Sequence, residues 1–467
     1  MKYVYIALAV ILIIISAKGV QYLESNNGTV ADFECDKCNV VIIGFDALQA
    51  RHVSHLGYSR QTTPTIDLLA KKGISFSHNY SVASWTVPSF MSYFTSLYPS
   101  EHKVTNKFVT FQGDTKVLSN LKKLSPDVLT IAEAFKNSGY ITGGFTGDAG
   151  VHSNFGYSQG FDVYTDESVF GSIDNSSNHA LNWLDQNPEK PFFMFLHGYD
   201  AHGQFSGVDE NYRSKFTDKP EFEITPERQR DLREEGLAYG QILVSSSELE
   251  EWNAWYDGKI YDADQRIKKF LGGLETRGLL ENTVIIVISD HGTEIGEHRR
   301  FDHGYSLYNE LINVPLVITL PNKEIGEIID VHVRSIDLVP TIFDIIGIEY
   351  TKEWKDQIRG ESLLPIISGN RTENLPVFSE TDYRNYTHKR SYISPDNWKY
   401  IHTMETDSGE LYNLTADAEE YNNIMETEEE RTKDMKAELF KHLAKMGEDI
   451  ADEWPIGCLP VYADQCL

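Results

Sequence analysis

Carboxylates and imidazoles stand at the ends of three short apolar runs. Asp46 follows NVVIIGF (Asn39–Phe45), Asp290 and His291 follow TVIIVIS (Thr283–Ser289), and His197, with Asp200 and His202 just beyond it, follows FFMFL (192–196). Continuous β-branched and aromatic runs of this length suit parallel strands buried on both faces. In open α/β sheets, ligands bind at the carboxyl ends of such strands. Oxygen and imidazole donors gathered there suit a divalent cation such as zinc or manganese. A single Asp after a strand is more often a turn residue or a cap. Several at separate strand ends point to a site.

A second element is Ser84-Trp85-Thr86-Val87-Pro88-Ser89-Phe90. Pro88 suits the first turn of a helix running to about Leu97, which places Thr86 at or near its N-cap. Taken alone, Thr86 reads as a cap. The same position lies in the positive field of the helix N-terminus, which favours an alkoxide and any bound oxyanion, and a metal would lower the hydroxyl pKa further. Capping and nucleophilic attack therefore compete for one location.

The elements that must carry these residues follow from periodicity. A helix opens at Thr62-Thr63-Pro64 and ends at Gly73, further helices are expected over 128–138 and 256–271, and further strands over 140–145 and 314–320. Alternating strands and helices imply an α/β fold, a mostly parallel sheet with helices on both faces. The stretch 207–251 is rich in charge and poor in apolar period, and reads as an inserted lid or surface excursion. After about residue 370 come short alternating strands (VFSET, RSYIS, WKYIHT, ELYNL) and an amphipathic helix over 427–446, a small C-terminal α+β subdomain. The expected organisation is 1–20 as signal peptide or anchor, 38–370 as catalytic domain and 371–467 as that subdomain.

Composition narrows the function. Among 467 residues, 70 Asp and Glu face 42 Lys and Arg, a formal charge of −28. Nucleic acid is a poor partner for that balance. An anionic substrate would need local attraction from a metal, a helix N-terminus or a few His and Lys. Residues 1–20 carry an apolar run from Tyr3 to Ile15 and then Ser16-Ala17-Lys18-Gly19, which fits a signal peptide, with an uncleaved membrane anchor as the rival reading. Export to an extracellular, periplasmic or membrane-anchored location is expected. Cys35, Cys38, Cys458 and Cys466 fit it as disulfides in any of three pairings, and a four-thiolate zinc site lacks its second CxxC. Trp252, Trp255 and Tyr256 have helical spacing, so core packing is expected rather than a carbohydrate platform.

The segment from NVVIIGFDALQARHVSHLGYS through SVASWTVPSFMSYFTSLYPSEHKV resembles the opening of the sulfatase family, within the alkaline phosphatase superfamily. PFFMFLHGYDAHGQF, YDGKIYDADQRIKKFL, TVIIVISDHGTEIGEH, HGYSLYNELINVPLVI, VRSIDLVPTIFDIIGI, RGESLLPIISG and GELYNLTADAEEYNN are similar to later family blocks in the same order, over roughly 38–425. The resemblance implies an alkaline-phosphatase-like fold. It implies that Asp46, Thr86, Asp290 and His291 are metal ligands, that Thr86 is the nucleophile, and that His202 and His303 contact the substrate and act in catalysis. His197 and Asp200 belong to the same block as further substrate-binding candidates. One divalent ion is expected, manganese, zinc, magnesium or calcium. A two-metal version would draw on Asp200, His202, His298 and His303.

Departures from the family pattern shape the expected chemistry. Sulfatases carry Cys or Ser in C/S-x-P-x-R, oxidised to formylglycine. Here the motif is T-V-P-S-F, a threonine cannot yield that aldehyde, and Phe90 stands where the arginine would. Ala47 replaces the second carboxylate of the Asp-Asp pair. The expectation is therefore an exported metal-dependent hydrolase of phosphate mono- or diesters, with glycan- and lipid-linked esters as candidate substrates, touching membrane only through its N-terminal segment. The alternatives are a sulfuric ester hydrolase acting by direct attack, a phosphoglycerol- or phosphoethanolamine-type transferase, and an inactive envelope-binding relative.

Overall fold

The structure, a computed structural model, describes residues 33–448 apart from 106–107, 113–114, 120–121, 167–169, 188–190, 203–211, 213, 218–223 and 384–386. The N-terminal segment, Cys458 and Cys466 lie outside the described residues, as does part of the 207–251 stretch. Among the described residues no helix is long and apolar enough to cross a membrane.

Eight strands form the central sheet: β1 (Asn39–Phe45), β2 (Ile74–Tyr80), β3 (Ile141–Phe145), β4 (Val163–Thr165), β5 (Phe192–Gly198), β6 (Thr283–Ser289), β7 (Leu316–Thr319) and β8 (Glu327–Arg334). Their order is β8-β2-β7-β6-β1-β5-β3-β4. Pairings are parallel throughout except for β7, which runs antiparallel to both β2 and β6. The 314–320 expectation is thus a shorter strand of opposite direction. Apolarity reports burial on both faces and carries no information on direction.

Alternation along β1 feeds two cores. Val40 and Ile42 point into one, with Phe90, Phe94, Phe135 and Phe195, while Val41, Ile43 and Phe45 point into the other, with Met194, Trp252, Tyr256 and Ile260. The first face is covered by α2 (Thr86–Thr95), α3 (Ile131–Asn137) and α7 (Leu338–Ile346), and the second by α1 (Pro64–Lys72), α4 (Ile173–Asp185) and α6 (Ser246–Thr276). Between α4 and α6 lies α5 (Pro226–Tyr239), inside the stretch read as an excursion. The 256–271 helix begins ten residues early, because Ser245 caps it by accepting the Glu248 N–H. Trp252 and Tyr256 are fully buried and Trp255 nearly so, as core packing requires.

A four-stranded antiparallel sheet follows: β9 (Val377–Tyr383), β10 (Thr387–Ile393), β11 (Trp398–Thr403) and β12 (Ser408–Asn413), packed against α8 (Glu429–Lys445). It is fastened to the larger body where Glu380 accepts the Ser100 N–H and hydroxyl at 2.9 and 2.8 Å. The architecture is a large, mostly parallel sheet flanked by helices, plus a small C-terminal antiparallel sheet with its helix. Cys35 is bonded to Cys38, so neither can tether the distant C-terminal cysteines.

Candidate active site

Parallel pairing of β1 with β6 puts Phe45 beside Ser289, so Asp46 and Asp290 leave the sheet side by side. The turn after β1 bends back through Ala47, at φ +61°, whose N–H donates to Asp290 Oδ1 at 3.0 Å. The His291 N–H donates to the same oxygen at 2.8 Å. Thr86 is the first residue of α2. Trp85 holds the N-cap position and makes no side-chain capping bond, so capping does not consume the Thr86 hydroxyl. Oγ1 instead donates to Asp46 Oδ2 at 3.1 Å and lies 3.3 Å from His291 Nε2.

The helix carrying Thr86 is fixed to the strand ends. Ser89 Oγ donates to the Asp290 carbonyl at 2.6 Å, Tyr93 Oη to the Ser289 carbonyl at 3.1 Å, and Tyr157 Oη to the Val87 carbonyl at 2.6 Å. Over Thr86 lies Gly150, where a Cβ would come within 2.6 Å of the threonine methyl. The backbone N–H of Gly150 donates to Tyr199 Oη at 2.6 Å. Asp148 and Ala149 just before it sit at positive φ, a conformation that costs non-glycine residues stability and is kept here by the surrounding contacts.

Asp46, Asp290 and His291 are fully buried. Burial, and then repulsion from Asp46, drive the Asp290 carboxyl well above its usual range, while burial drives His291 well below its own. His291 Nδ1 lies 2.6 Å from the Gly292 carbonyl, which can only accept, so Nδ1 carries the proton and Nε2 presents a lone pair. That Nε2 is 3.4 Å from Asp290 Oδ2, a buried oxygen with no hydrogen-bond donor among the described residues. Donor atoms of Asp46, Asp290 and His291 lie within 4.8 Å of one another. Two buried carboxylates, one unanswered carboxylate oxygen, a neutral imidazole and an adjacent hydroxyl fit a divalent cation, which would offset the cost of burying the charges.

Above this floor opens a cavity of about 500 Å³, within the range of small-molecule sites. His202 and His303 line it together with Thr86. His202 Nε2 is 3.8 Å from Asp46 Oδ1, and the His303 ring is 4.4 Å from that of His291 and 5.1 Å from that of His202. His303 Nδ1 pairs with Asp302 Oδ1 at 2.6 Å, and Asp302 pairs in turn with Arg233 of α5 at 3.5 Å. Burial works to raise the Asp302 carboxyl, but His303, Arg233 and His202 together hold it well below the usual carboxylate range.

The remaining candidates sit elsewhere. His197 is fully buried behind Tyr199, packs against Phe90, and is pushed down to about 3 by burial. Asp200 spends its oxygens on Arg266 at 2.8 Å and on the Ile173 N–H at 2.7 Å. Neither lines the cavity; a strand end orients alternate residues to opposite sides, and both side chains turn into packing. His298 belongs to another buried cluster, with Glu294 and Glu310. Its Nδ1 faces Glu310 at 2.6 Å and its Nε2 the Glu420 carbonyl at 3.1 Å, so both nitrogens are engaged in an ion-pair network. Phe90 is buried against Phe195 and His197.

Several wall residues escape sequence reasoning: Tyr199, Asp302 and Tyr383, and Gln229, Arg230 and Arg233 of α5. Tyr383 arrives from β9 of the C-terminal sheet. Only the i, i+3, i+4, i+7 spacing of Pro226, Gln229, Arg230 and Arg233 could have singled out a polar helix face.

A family model described as Sulfatase matches residues 38–348, and one described as N-sulphoglucosamine sulphohydrolase, C-terminal, matches 296–449. Arylsulfatase K of Xenopus laevis is 24% identical over 463 residues, covering 86% of this chain and 82% of its own. A Delta 4,5-hexuronate-2-O-sulfatase of Bacteroides thetaiotaomicron is 25% identical over 423 residues, covering 83% and 85%. A structure solved in complex with its substrate D-glucosamine-2-N,6-O-disulfate aligns at TM-score 0.69 and 21% identity, covering 88% of this chain and 98% of that one.

Proposed function

The chain belongs to the sulfatase family of ester hydrolases, within the alkaline phosphatase superfamily, and from that premise we propose that it hydrolyses a sulfuric ester carried by a carbohydrate, with Thr86 as nucleophile. This replaces the phosphate-ester expectation: the two relatives described above are named sulfatases, and one aligned structure holds a sulfated glucosamine. The observation that carries the catalytic reading is the buried quartet of Asp46, Thr86, Asp290 and His291 opening into a cavity lined by two histidines.

In this reading Asp46, Thr86, Asp290 and His291 would hold a divalent cation, which would supply Lewis-acid stabilisation of the negative charge that builds up during ester cleavage. Asp46 Oδ2, already the acceptor of the Thr86 hydrogen bond, takes its proton as Oγ1 attacks sulfur. The S–O bond to the sugar breaks, and His202 or His303 protonates the departing alcohol oxygen. Water then attacks the same sulfur, giving one proton back to the histidine. Thr86 leaves with the proton held by Asp46, and sulfate is released. The positive end of α2 favours the equatorial oxygens throughout. Asp302 holds the His303 ring in place from Nδ1, leaving Nε2 for the substrate.

One observation favours a second reading. Threonine cannot furnish the aldehyde of sulfate-cleaving relatives, and a threonine attacking phosphorus suits a phosphate ester through the same steps. The Cys35–Cys38 disulfide and the N-terminal apolar run support export. The deciding experiment compares turnover of 4-nitrophenyl sulfate with 4-nitrophenyl phosphate and its bis ester, in wild type and Thr86→Ala, with metal content measured on each. Preference for the sulfate is expected. Preference for a phosphate ester installs the second reading, and activity surviving in Thr86→Ala removes the nucleophile.

A further inference from the structure

Resting on the reading of a glycan-borne anionic ester, we propose that Arg230, with Gln229 beside it, forms a second anion subsite at the mouth of the cavity. The substrate it selects carries a further acidic group besides the ester that is cleaved.

The helix that carries these residues is firmly held. Thr225 caps α5 by accepting the Arg228 N–H at 3.1 Å, and Arg228 grips Glu248 of α6 through two hydrogen bonds of 2.8 and 3.1 Å. Leu232 is fully buried in the core, which fixes the rotation of the helix. An amphipathic helix usually turns an apolar stripe inward at the spacing i, i+3, i+4, i+7. Here the stripe facing the cavity is Pro226, Gln229, Arg230 and Arg233, and the three residues after the proline are polar or cationic where packing alone would ask for Leu or Ile.

The two arginines of the stripe differ. Arg233 is answered by Asp302 at 3.5 Å and so belongs to the support of His303. Arg230 is exposed on the cavity and has no acidic partner among the described residues, in a chain of formal charge −28 where acids are abundant. A guanidinium left unanswered over a cavity presents a planar fork matched to carboxylate or sulfate oxygens. It also supplies the local attraction that an acidic protein needs to admit a polyanion. Arg230 lies three residues before Arg233, about 4.5 Å along the helix axis. Arg230 is exposed where Arg233 is half-buried, so its anion sits outside the esterified position, with Trp85 and Tyr383, 5.3 Å apart edge to face, offering an apolar wall for the sugar between.

Steady-state kinetics on N-acetyl-D-glucosamine 6-O-sulfate, D-glucosamine-2-N,6-O-disulfate and a 2-O-sulfated hexuronate, with wild type, Arg230→Gln and Arg230→Lys, test this. In Arg230→Gln the ratio of kcat/KM for a dianionic over the monoanionic sugar should fall about tenfold, the size of one charge-assisted contact. The loss should appear in KM rather than kcat, and Arg230→Lys should recover part of it. Loss on the disulfate names a second sulfate as the group recognised, and loss on the hexuronate names a carboxylate. A ratio that stays within twofold on both overturns the subsite. If wild type turns over none of these sugars, the proposed reaction fails on its own account, and calorimetric titration of the same sugars decides the subsite. Weaker binding of a dianion by Arg230→Gln keeps it, and the absence of any such difference removes it.

Discussion

At the floor of the cavity Asp46, Asp290 and His291 are fully buried; backbone groups of the adjacent strand ends hold Asp290 and His291, and the Thr86 hydroxyl donates to Asp46. At its mouth Gln229, Arg230, Arg233 and Tyr383 come from an inserted helix and from the C-terminal sheet, and Arg230 is exposed. The floor is rigid because parallel strand pairing and the start of α2 leave its donors one arrangement. The mouth is built from elements that can differ without disturbing the sheet. Chemistry common to a family belongs in the first region, and substrate choice in the second.

That contrast can be broken from the floor outward. The largest effect is expected from stripping the metal: dialysis against a chelator should lower turnover by at least a thousandfold and re-addition of a divalent cation should restore it, while circular dichroism confirms the fold. Full activity in metal-free protein would separate the quartet from catalysis. Thr86→Ala should cost a comparable factor in kcat with metal content retained in part.

Gly150→Ala probes how tightly the floor is set. Its Cβ would press within 2.6 Å of the Thr86 methyl and 3.0 Å of Tyr199 Oη, so either the threonine or the loop must move. A fall in kcat of about 10- to 100-fold with little change in melting temperature is expected, since an ångström of misplacement is enough to cost that much. An unchanged kcat would show that the methyl does not fix the hydroxyl.

The smallest effect concerns stability away from the site. Burial opposes protonation of His298, but the Glu310 carboxylate at 2.6 Å prevails and raises its pKa to about 9. A pKa raised above the unfolded value contributes stability that is complete below about 6.5 and lost as pH climbs through about 9. The difference in Tm between wild type and His298→Gln should therefore be widest near pH 6 and close by pH 9.5. A difference independent of pH would mean that the imidazole serves by packing alone.

Much of the floor was legible beforehand. Asp46, Asp290 and His291 follow strands whose apolar runs were plain, and strand ends converge whatever the loops do. The helix after Thr86 was equally plain, although its exact first residue was not: Trp85 takes the cap and frees the hydroxyl. His197 and Asp200 shared the same block and the same residue types yet turned into packing, because side-chain direction depends on the final twist of β5 and on Tyr199 standing in front. Direction was also hidden in 314–320, whose apolar run suits either sense of pairing.

The pattern of residues already set the layers: β-branched runs had to be buried on both faces, amphipathic helices had to cover them, and Asp46 and Asp290 followed two apolar strands that came to lie side by side. Only the tertiary structure decided what lines the cavity. Arg233 reaches Asp302 across 69 residues and Tyr383 reaches the cavity from another sheet. Such contacts depend on how whole elements dock, and no local period in the chain encodes the distance between them.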